Sequence, residues 1–142
     1  MKFKNKLDPT EEQILGFNDP GPEPIFMLNL LKYKDKAIYT DGRHTSMSGK
    51  EAYAIYGKEV IKHLEKVGGK LVFAGDVSRL MIGEIDELWD SAAIAMYPSK
   101  KAMLKMITDP DYMKSHEHRA AGLEGQLNLS LIHISEPTRP IH

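Results

Sequence analysis

Residues 24–33 read PIFMLNLLKY, and this apolar run decides the fold. It is too short for an isolated helix, and a proline and the charged residues 34–36 bound it, which is typical of a buried strand. One face of that strand carries Phe26, Leu28 and Leu30, and the other carries Met27 and Leu31. A sheet built on it must therefore be covered on both sides. Helices can cover one side, and a twofold copy of the chain is the commonest cover for the other.

A long helix follows this strand after a polar loop. Ser48 and Glu51 have the spacing of a capping box, in which each side chain bonds the other's backbone N–H at the start of a helix. Apolar residues then recur every three or four positions until a glycine pair ends the helix. These positions are Tyr53, Tyr56, Val60, Leu64 and Val67. Residues 70–84 and 89–98 predict two antiparallel strands joined by a turn, with a bulge near Gly75.

Two helices and a closing strand follow. Ser99 begins one helix and Asp109 begins the next, because Ser and Asp cap helix N-termini and the proline after Asp109 fits a first turn. Residues 126–132, QLNLSLI, alternate polar and apolar side chains, which predicts a strand. This order of elements is that of a ferredoxin-like split βαβ fold. We therefore expect an α+β domain with a four-stranded antiparallel sheet and its helices on one face.

An extra helix precedes this domain. Asp8 and the proline after it predict a helix start, and acidic residues in the first turn support a helix that runs to residue 18. The stiff connector DPGPEP then separates this helix from the first strand. We therefore divide the chain into residues 1–23 as helix and connector, 24–132 as the domain and 133–142 as a non-native tail.

The tail resembles translated adapter DNA. Residues 129–139, LSLIHISEPTR, match the translation of an adapter used in transposon-based sequencing libraries. A match of this length is very improbable by chance, so we interpret the tail as read-through without a selected function. Its alternating leucines still suffice to finish a strand. His133 and His142 are therefore left out of the candidate functional residues.

Charge and composition exclude several classes of protein. The chain has 19 Lys and Arg against 20 Asp and Glu and no basic block, so a nucleic-acid partner is not expected. Cysteine is absent, which excludes disulfides and thiolate metal sites. The first residues form no apolar leader, and no run approaches the roughly 18 apolar residues of a membrane span. We therefore expect a cytoplasmic protein with no membrane partner.

Several ordered segments carry a family resemblance: FMLNLLKYKD, GKEAYAIYG, WDSAAIAMYPS and DPDYMKSHEHRAAGL. Across residues 22–128 the chain resembles DUF1330, a family of bacterial domains of unknown function in the dimeric α/β-barrel superfamily. The resemblance implies a ferredoxin-like monomer whose sheet pairs with that of a second copy in a homodimer. It implies no catalytic residues, because the family has no agreed activity.

Amide and aromatic side chains near the predicted sheet are candidate ligand contacts. Asn29 interrupts the apolar strand, and a buried amide either bonds to its surroundings or points into a polar pocket. Tyr56 lies with Tyr53 on the buried face of the long helix, where both can also serve as core residues. Trp89 and Tyr97 flank a strand whose inner positions are small, which leaves room for a bulky helix side chain or for a ligand. Those small residues are Ser91, Ala93 and Ala95.

His116, His118 and Arg119 form a second group of candidates. The two histidines lie about 200° apart around a helix and cannot share one metal ion. One of them is expected to face inward, where a histidine can act as an acid or base near neutral pH. Arg119 is suited to hold a carboxylate through two hydrogen bonds. The alternative is a surface helix whose His and Arg make exposed contacts of little consequence.

Two functions stay open from the sequence. The first is a dimeric small-molecule-binding domain with a pocket between sheet and helices. This pocket would be lined by Asn29, Tyr56, Trp89, Tyr97 and Arg119. The second is a cofactor-independent enzyme, monooxygenase- or isomerase-like, that acts on a small oxygenated or aromatic substrate with His118 or His116 as its acid-base group. No arrangement of nucleophile, base and orienting residue is recognisable, which favours the binder. We expect neither a metal nor a cofactor.

Overall fold

The computed structural model describes residues 2–18 and 21–133. A short helix α1 (Glu11–Leu15), continued by a 3-10 turn (Gly16–Asn18), precedes the domain. The domain comprises β1 (Ile25–Tyr33), α2 (Gly49–Lys66), β2 (Lys70–Asp76), β3 (Ser91–Tyr97), α3 (Lys100–Ile107), α4 (Pro110–Gly122) and β4 (Leu123–Ile132). The part of the predicted tail from residue 134 onward lies outside the described residues.

The four strands form one sheet in the order β2-β3-β1-β4, and every neighbouring pair is antiparallel. The crossover from β1 through α2 to β2 leaves room for β3 between them, which is the split βαβ arrangement. The predicted ferredoxin-like α+β fold is therefore confirmed. The main core lies between the sheet and its helices and contains Ile25, Met27, Tyr56, Leu64, Ala95, Tyr97, Met103, Met106 and Tyr112.

The other side of the sheet carries no helix and is apolar; we call it the open face. The even-numbered residues of β1 point there, opposite even-numbered residues of β3 and odd-numbered residues of β4. The open face comprises Phe26, Leu28, Leu30, Phe73, Ile94, Met96, Leu127, Leu129 and Leu131. Phe73 is 58% exposed and Leu129 is 50% exposed, so this face presents large apolar side chains to water.

Local capping explains where the long helices begin. Ser48 Oγ accepts a hydrogen bond from the Glu51 N–H at 3.0 Å, and Glu51 Oε1 accepts one from the Ser48 N–H at 2.9 Å, which confirms the predicted capping box. Ser99 and Asp109 cap α3 and α4 as predicted. Gly68, with a φ of 81°, turns the chain from α2 into β2, a conformation that favours glycine.

The predicted start of the N-terminal helix at Asp8 is wrong. Thr10 caps α1 instead, because its hydroxyl accepts the Gln13 N–H and the Gln13 side chain accepts the Thr10 N–H. The chain before Thr10 is not helical, since Lys6 forms an isolated bridge with Gln126 at the edge of the sheet and Leu7 and Asp8 form a bend. The N-terminal residues thus join the sheet edge before the helix begins.

The predicted strand over residues 70–84 is too long, and its bulge is misplaced. β2 ends at Asp76, whose carboxylate accepts a hydrogen bond from Ser91 Oγ at 2.8 Å and pairs with Lys50. The register shift lies between Leu71 and Phe73, while Gly75 keeps its pairing with β3. After Asp76 the chain leaves the sheet in a loop, so local alternation alone overestimated the strand.

Two glycines, Gly49 and Gly122, let the ends of α2 and α4 approach each other and the chain just after β1. The Lys34 N–H donates to the Gly122 carbonyl at 2.8 Å, and the Gly49 N–H donates to the Lys34 carbonyl at 3.1 Å. A Cβ added to Gly49 would lie 2.1 Å from the Lys34 oxygen, and one added to Gly122 would lie 2.3 Å from the Gly49 oxygen. Only glycine allows the two helix ends to approach this closely. Their contact sets how α4 crosses the sheet.

Candidate functional site

Asn29 lies on the helix-facing side of β1 and makes a full set of hydrogen bonds. Its Nδ2 donates to the carbonyls of Met27 at 3.1 Å and Ala93 at 3.4 Å, and its Oδ1 accepts from Gln126 Nε2 at 2.6 Å. The amide is therefore satisfied by the protein itself, partly through backbone and partly through another side chain. Its contact with Gln126 connects β1 to a larger polar group.

Arg119 extends that polar group from α4 to the sheet. Its Nη2 donates to Gln126 Oε1 at 2.5 Å and to the Leu7 carbonyl, and its Nη1 donates to His116 Nε2 at 3.1 Å. The Arg119 side chain is only 12% exposed. We call Asn29, Gln126, Arg119 and His116 the polar cluster, since hydrogen bonds join them in series.

The environment of His116 keeps its ring neutral. Because Arg119 donates to Nε2, that nitrogen carries no proton, and the neutral ring holds its proton on Nδ1. Burial lowers the pKa of His116 below the ordinary 6.5, the Arg119 charge lowers it further, and the Asp8 carboxylate opposes both. Asp8 Oδ1 lies 3.7 Å from His116 Nε2. The ring is therefore uncharged at neutral pH, and its only lone pair accepts the hydrogen bond from Arg119.

The residues before α1 cover the polar cluster. The Lys6 N–H donates to the Gln126 carbonyl at 3.0 Å, and the Leu7 carbonyl accepts from Arg119. Asn5 packs directly on Gly125, where an added Cβ would lie 2.1 Å from its side-chain oxygen. We call Asn5 to Asp8 the N-terminal segment. It occupies the side of Arg119 that would otherwise be open.

A group of tyrosines lies beside the polar cluster. The hydroxyls of Tyr56 and Tyr112 are 2.9 Å apart, and the Tyr53 and Tyr56 ring centroids are 5.3 Å apart. The ring of Tyr112 also faces that of His116, with 6.2 Å between centroids. Burial, followed by the nearby Tyr112 phenol, raises the pKa of Tyr56 well above its ordinary value. These rings therefore provide a neutral, largely apolar wall next to Arg119.

The small residues of β3 make room for side chains of the protein. Ala95 packs in the core with Tyr56 and Tyr97, and Tyr97 is itself 7% exposed. Ser91 is engaged with Asp76, and the Ala93 carbonyl accepts from Asn29. Of the two alternatives for this strand, the structure thus favours room for bulky helix side chains.

Trp89 stands apart from the polar cluster. Its ring packs against Phe3, with centroids 6.1 Å apart, and it borders an open groove of about 930 Å³ with residues 84–88. Lys32 also lines this groove and donates to the Leu88 carbonyl at 3.0 Å. The structure therefore places Trp89 at a groove whose lining does not include Arg119.

His118 also lies outside the polar cluster and contacts Tyr39 instead. Its Nδ1 lies 2.6 Å from the Tyr39 hydroxyl, and its Nε2 lies 3.6 Å from Glu117 Oε1. Tyr39 sits under the Arg43 guanidinium, which is 4.3 Å from its ring centroid and also pairs with Glu117. His118 thus anchors the loop between β1 and α2 to α4. Both predicted histidines are partly buried, and each is hydrogen-bonded within the protein.

Gln126 and Leu7 were missed by the sequence predictions. Gln126 begins the alternation Gln126, Asn128 and Ser130, and that polar side of β4 faces the same way as Asn29. This polar alternation next to an amide in β1 was the available signal. Leu7 had no comparable signal, because only its backbone carbonyl takes part.

The residues that the structure describes contain neither a metal-binding cluster nor a membrane-spanning helix. Across residues 2–18 and 21–133, no group of three or more His, Cys, Asp or Glu side chains is placed to hold a metal ion. In the same ranges, no helix is both long enough and apolar enough to cross a membrane.

The strand order and the helix layer define a ferredoxin-like α+β domain, here with a polar cluster between its sheet and α4. The sequence profile of the domain of unknown function DUF1330 matches residues 43–132. The chain therefore belongs to the DUF1330 family.

Solved structures of similar proteins agree with this assignment. The methylated RPA0582 protein is 38% identical, has a TM-score of 0.84, and aligns over 96% of this chain and 100% of its own. The RPA0582 protein of unknown function from Rhodopseudomonas palustris is 36% identical, with a TM-score of 0.83 over 94% of this chain and 100% of its own. At3g17210 from Arabidopsis thaliana shares the fold at 14% identity and a TM-score of 0.56, over 80% of this chain and 99% of its own. No curated protein matches the chain.

Proposed function

We propose that the protein is a dimeric domain that binds a small molecule between its sheet and α4, at the polar cluster. One observation carries the proposal. The Arg119 guanidinium is almost buried, yet each of its hydrogen-bond partners is a neutral group: Leu7, Gln126 and His116. Buried charges are normally paired, so a guanidinium held in this way favours a polar ligand.

The surroundings of Arg119 support a binding role. Asn29 and Gln126 hold the guanidinium at a defined position through a chain of side-chain hydrogen bonds, which preorganises it. Tyr112 packs its ring against that of His116 and bonds Tyr56 within the core. A few fixed polar groups next to aromatic rings are the usual make-up of a small-molecule site.

A ligand melting screen tests the proposal. A ligand at 100 times its dissociation constant should stabilise the protein by about 2.7 kcal/mol, which a melting curve resolves easily. Arg119→Met should abolish the shift, whereas Arg43→Met, on an exposed arginine paired with Asp41 and Glu117, should preserve it. Each variant is compared with its own ligand-free melting curve, so that a loss of stability is not mistaken for a loss of binding. A ligand that stabilises the Arg119 variant as much as the unmodified protein would contradict this site.

His116 supports a second candidate function, a cofactor-independent enzyme such as a monooxygenase or isomerase. Its unprotonated Nε2 accepts a hydrogen bond from Arg119, and a ligand that draws the guanidinium away would free this nitrogen to abstract a proton from a carbonyl compound next to a cation. His118 is less suited, because it lies in a separate contact with Tyr39 and not beside Arg119. Under the enzyme hypothesis, His116→Gln should stop turnover and leave binding within about twofold. Turnover that survives this substitution would exclude His116 as the base.

The homodimer part of the proposal rests on the open face. Helices cover only one side of the sheet, and the other side exposes a contiguous set of Leu, Ile, Met and Phe side chains. Patches of this kind mark interaction surfaces, and a second copy provides an identical apolar surface to pack against. We propose that two sheets pack face to face.

Sedimentation at micromolar concentration tests the dimer. Leu28→Asp places a charge at the centre of the open face and should yield a monomer or an aggregate. Met113→Asp, on the outer surface of α4 where Met113 is 51% exposed, is the matched control and should leave the dimer intact. A stable monomer of the unmodified chain would refute the proposal for this face.

A further inference from the structure

The charges around Arg119 do not balance locally. The nearest carboxylate is that of Asp8, whose Oδ1 lies 4.0 Å from Arg119 Nη1, beyond hydrogen-bond distance. Asp8 is itself 73% exposed, so water screens its attraction to the guanidinium. A guanidinium is best matched by a carboxylate that accepts two parallel hydrogen bonds. Within the described part of the chain, Arg119 lacks such a partner.

The N-terminal segment supplies a partial substitute for that partner. The Leu7 carbonyl accepts from Arg119 Nη2, and the Asp8 carboxylate lies next to Nη1 and His116 Nε2. One chain thus presents two oxygens to the two outer nitrogens of the same guanidinium, as a single carboxylate would. The carbonyl is neutral and the carboxylate is distant, so both contacts are weaker than a direct ion pair.

The attachment of the N-terminal segment to the sheet is slight. Apart from its contacts with Arg119 and His116, it rests on one backbone hydrogen bond, from the Lys6 N–H to the Gln126 carbonyl, and on the packing of Asn5 on Gly125, while the Phe3 ring just before it packs on Trp89. One hydrogen bond contributes about 0.5–1.5 kcal/mol net, which is less than a well-formed pair between an arginine and a carboxylate in a partly buried site. A ligand carboxylate is therefore able to compete with the segment for Arg119.

We propose that the ligand is a small carboxylate with an apolar or aromatic body, and that it binds Arg119 in place of Leu7 and Asp8. This inference rests on the proposed function and adds the ligand class and the way the site opens. The carboxylate takes both outer nitrogens of Arg119, and the body of the ligand takes the space that Leu7 and Asp8 vacate next to His116. The N-terminal segment acts as a built-in competitor that leaves when the ligand arrives.

Two backbone variants test the displacement. Lys6→Pro removes the N–H that bonds Gln126, whereas Lys6→Ala removes the same side chain and keeps the N–H. Each full-length variant and the unmodified protein are titrated with acetate, pyruvate, benzoate and phenylacetate, and with the amide of each acid. Dissociation constants are measured by calorimetry or NMR, and amide hydrogen exchange at Lys6 is followed in the unmodified protein.

The expected result has three parts. At least one acid binds, its amide binds at least about tenfold more weakly, and Arg119→Met abolishes binding. Lys6→Pro tightens binding of that acid by about three- to tenfold, the equivalent of one backbone hydrogen bond, while Lys6→Ala leaves it unchanged. Saturation with the acid accelerates exchange of the Lys6 amide in the unmodified protein, because its bond to Gln126 opens.

The contrary results separate this inference from the proposed function. If acid and amide bind equally and both need Arg119, the site is real but the ligand class is wrong. If the acid binds while Lys6 stays protected and Lys6→Pro has no effect, the segment is not displaced. If none of the acids binds any variant, the inference is wrong. The melting screen with neutral compounds then tests whether the binding site exists at all.

Discussion

Tyr56→Phe is expected to lower the free energy of unfolding by about 1–3 kcal/mol, because it leaves the Tyr112 hydroxyl buried without its partner. The two oxygens are 2.9 Å apart, and the residues are 8% and 6% exposed. Tyr112→Phe should cost a similar amount for the same reason. The double substitution keeps both rings and leaves no hydroxyl unpaired, so it should cost no more than either single one. The expected coupling between the two sites is therefore at least the cost of one single substitution, about 1–3 kcal/mol.

Urea denaturation of the four proteins measures this coupling at pH 7 and at one fixed protein concentration, since association shifts apparent stability. In a chain of this length, 1 kcal/mol also moves the melting temperature by roughly 3–5 °C, which gives an independent check. Additive losses, with a coupling below about 0.3 kcal/mol, would refute the reasoning. They would mean that water already reaches both hydroxyls, and that the Tyr56 hydroxyl is free to contact a ligand.

Four further predictions rest on contacts described above. Gly122→Ala should destabilise the protein by about 1–3 kcal/mol because its Cβ has no room, whereas Gly57→Ala, with nothing within 4 Å of an added Cβ, should stabilise it by about 0.5–1 kcal/mol in urea denaturation. Asp8→Asn should lower the pKa of His116 further, because the carboxylate raises it; an NMR titration in which that pKa rises would contradict the assignment. The pKa of His116 lies below 6.5 in the folded state, so the folded protein binds a proton at this ring less readily than the unfolded chain does. The stability that is present above pH 6.5 is therefore lost as pH falls through the folded pKa, and the unmodified protein should lose stability relative to His116→Gln over that range. Ser48→Ala should cost about 1 kcal/mol, and a change below about 0.3 kcal/mol would argue against the capping box.

Most of the fold was predictable because its determinants are local. The capping box at Ser48, the caps at Ser99 and Asp109, and the apolar run of β1 each depend on residues within a few positions of one another. Such patterns set where helices and strands begin, and the order of elements then leaves few ways to form a sheet. The predictions were wrong where a distant partner decides the boundary: Asp76 ends β2 through Ser91, and Thr10 replaces Asp8 as the cap once Lys6 joins the sheet edge.

The candidate site was predictable only in part. Asn29, His116 and Arg119 stood out as polar groups in apolar or helical settings, and the structure brings these three together. Their connection runs through Gln126, which reaches Asn29 from 97 positions away in the sequence. No local pattern indicates that contact, since it depends on the register of β4 against β1.

By itself, the sequence determined the type and order of the elements, the two apolar faces of β1 and the family. The tertiary structure alone decided which polar side chains meet, that Trp89 and His118 lie in separate contacts, and that the N-terminal segment covers Arg119. The physical reason is the range of the interactions involved. Caps and amphipathic periodicity act within one or two turns of chain, whereas strand register and the close approach of Gly49 to Gly122 join residues far apart in sequence, and those contacts place α4 and its arginine over the sheet.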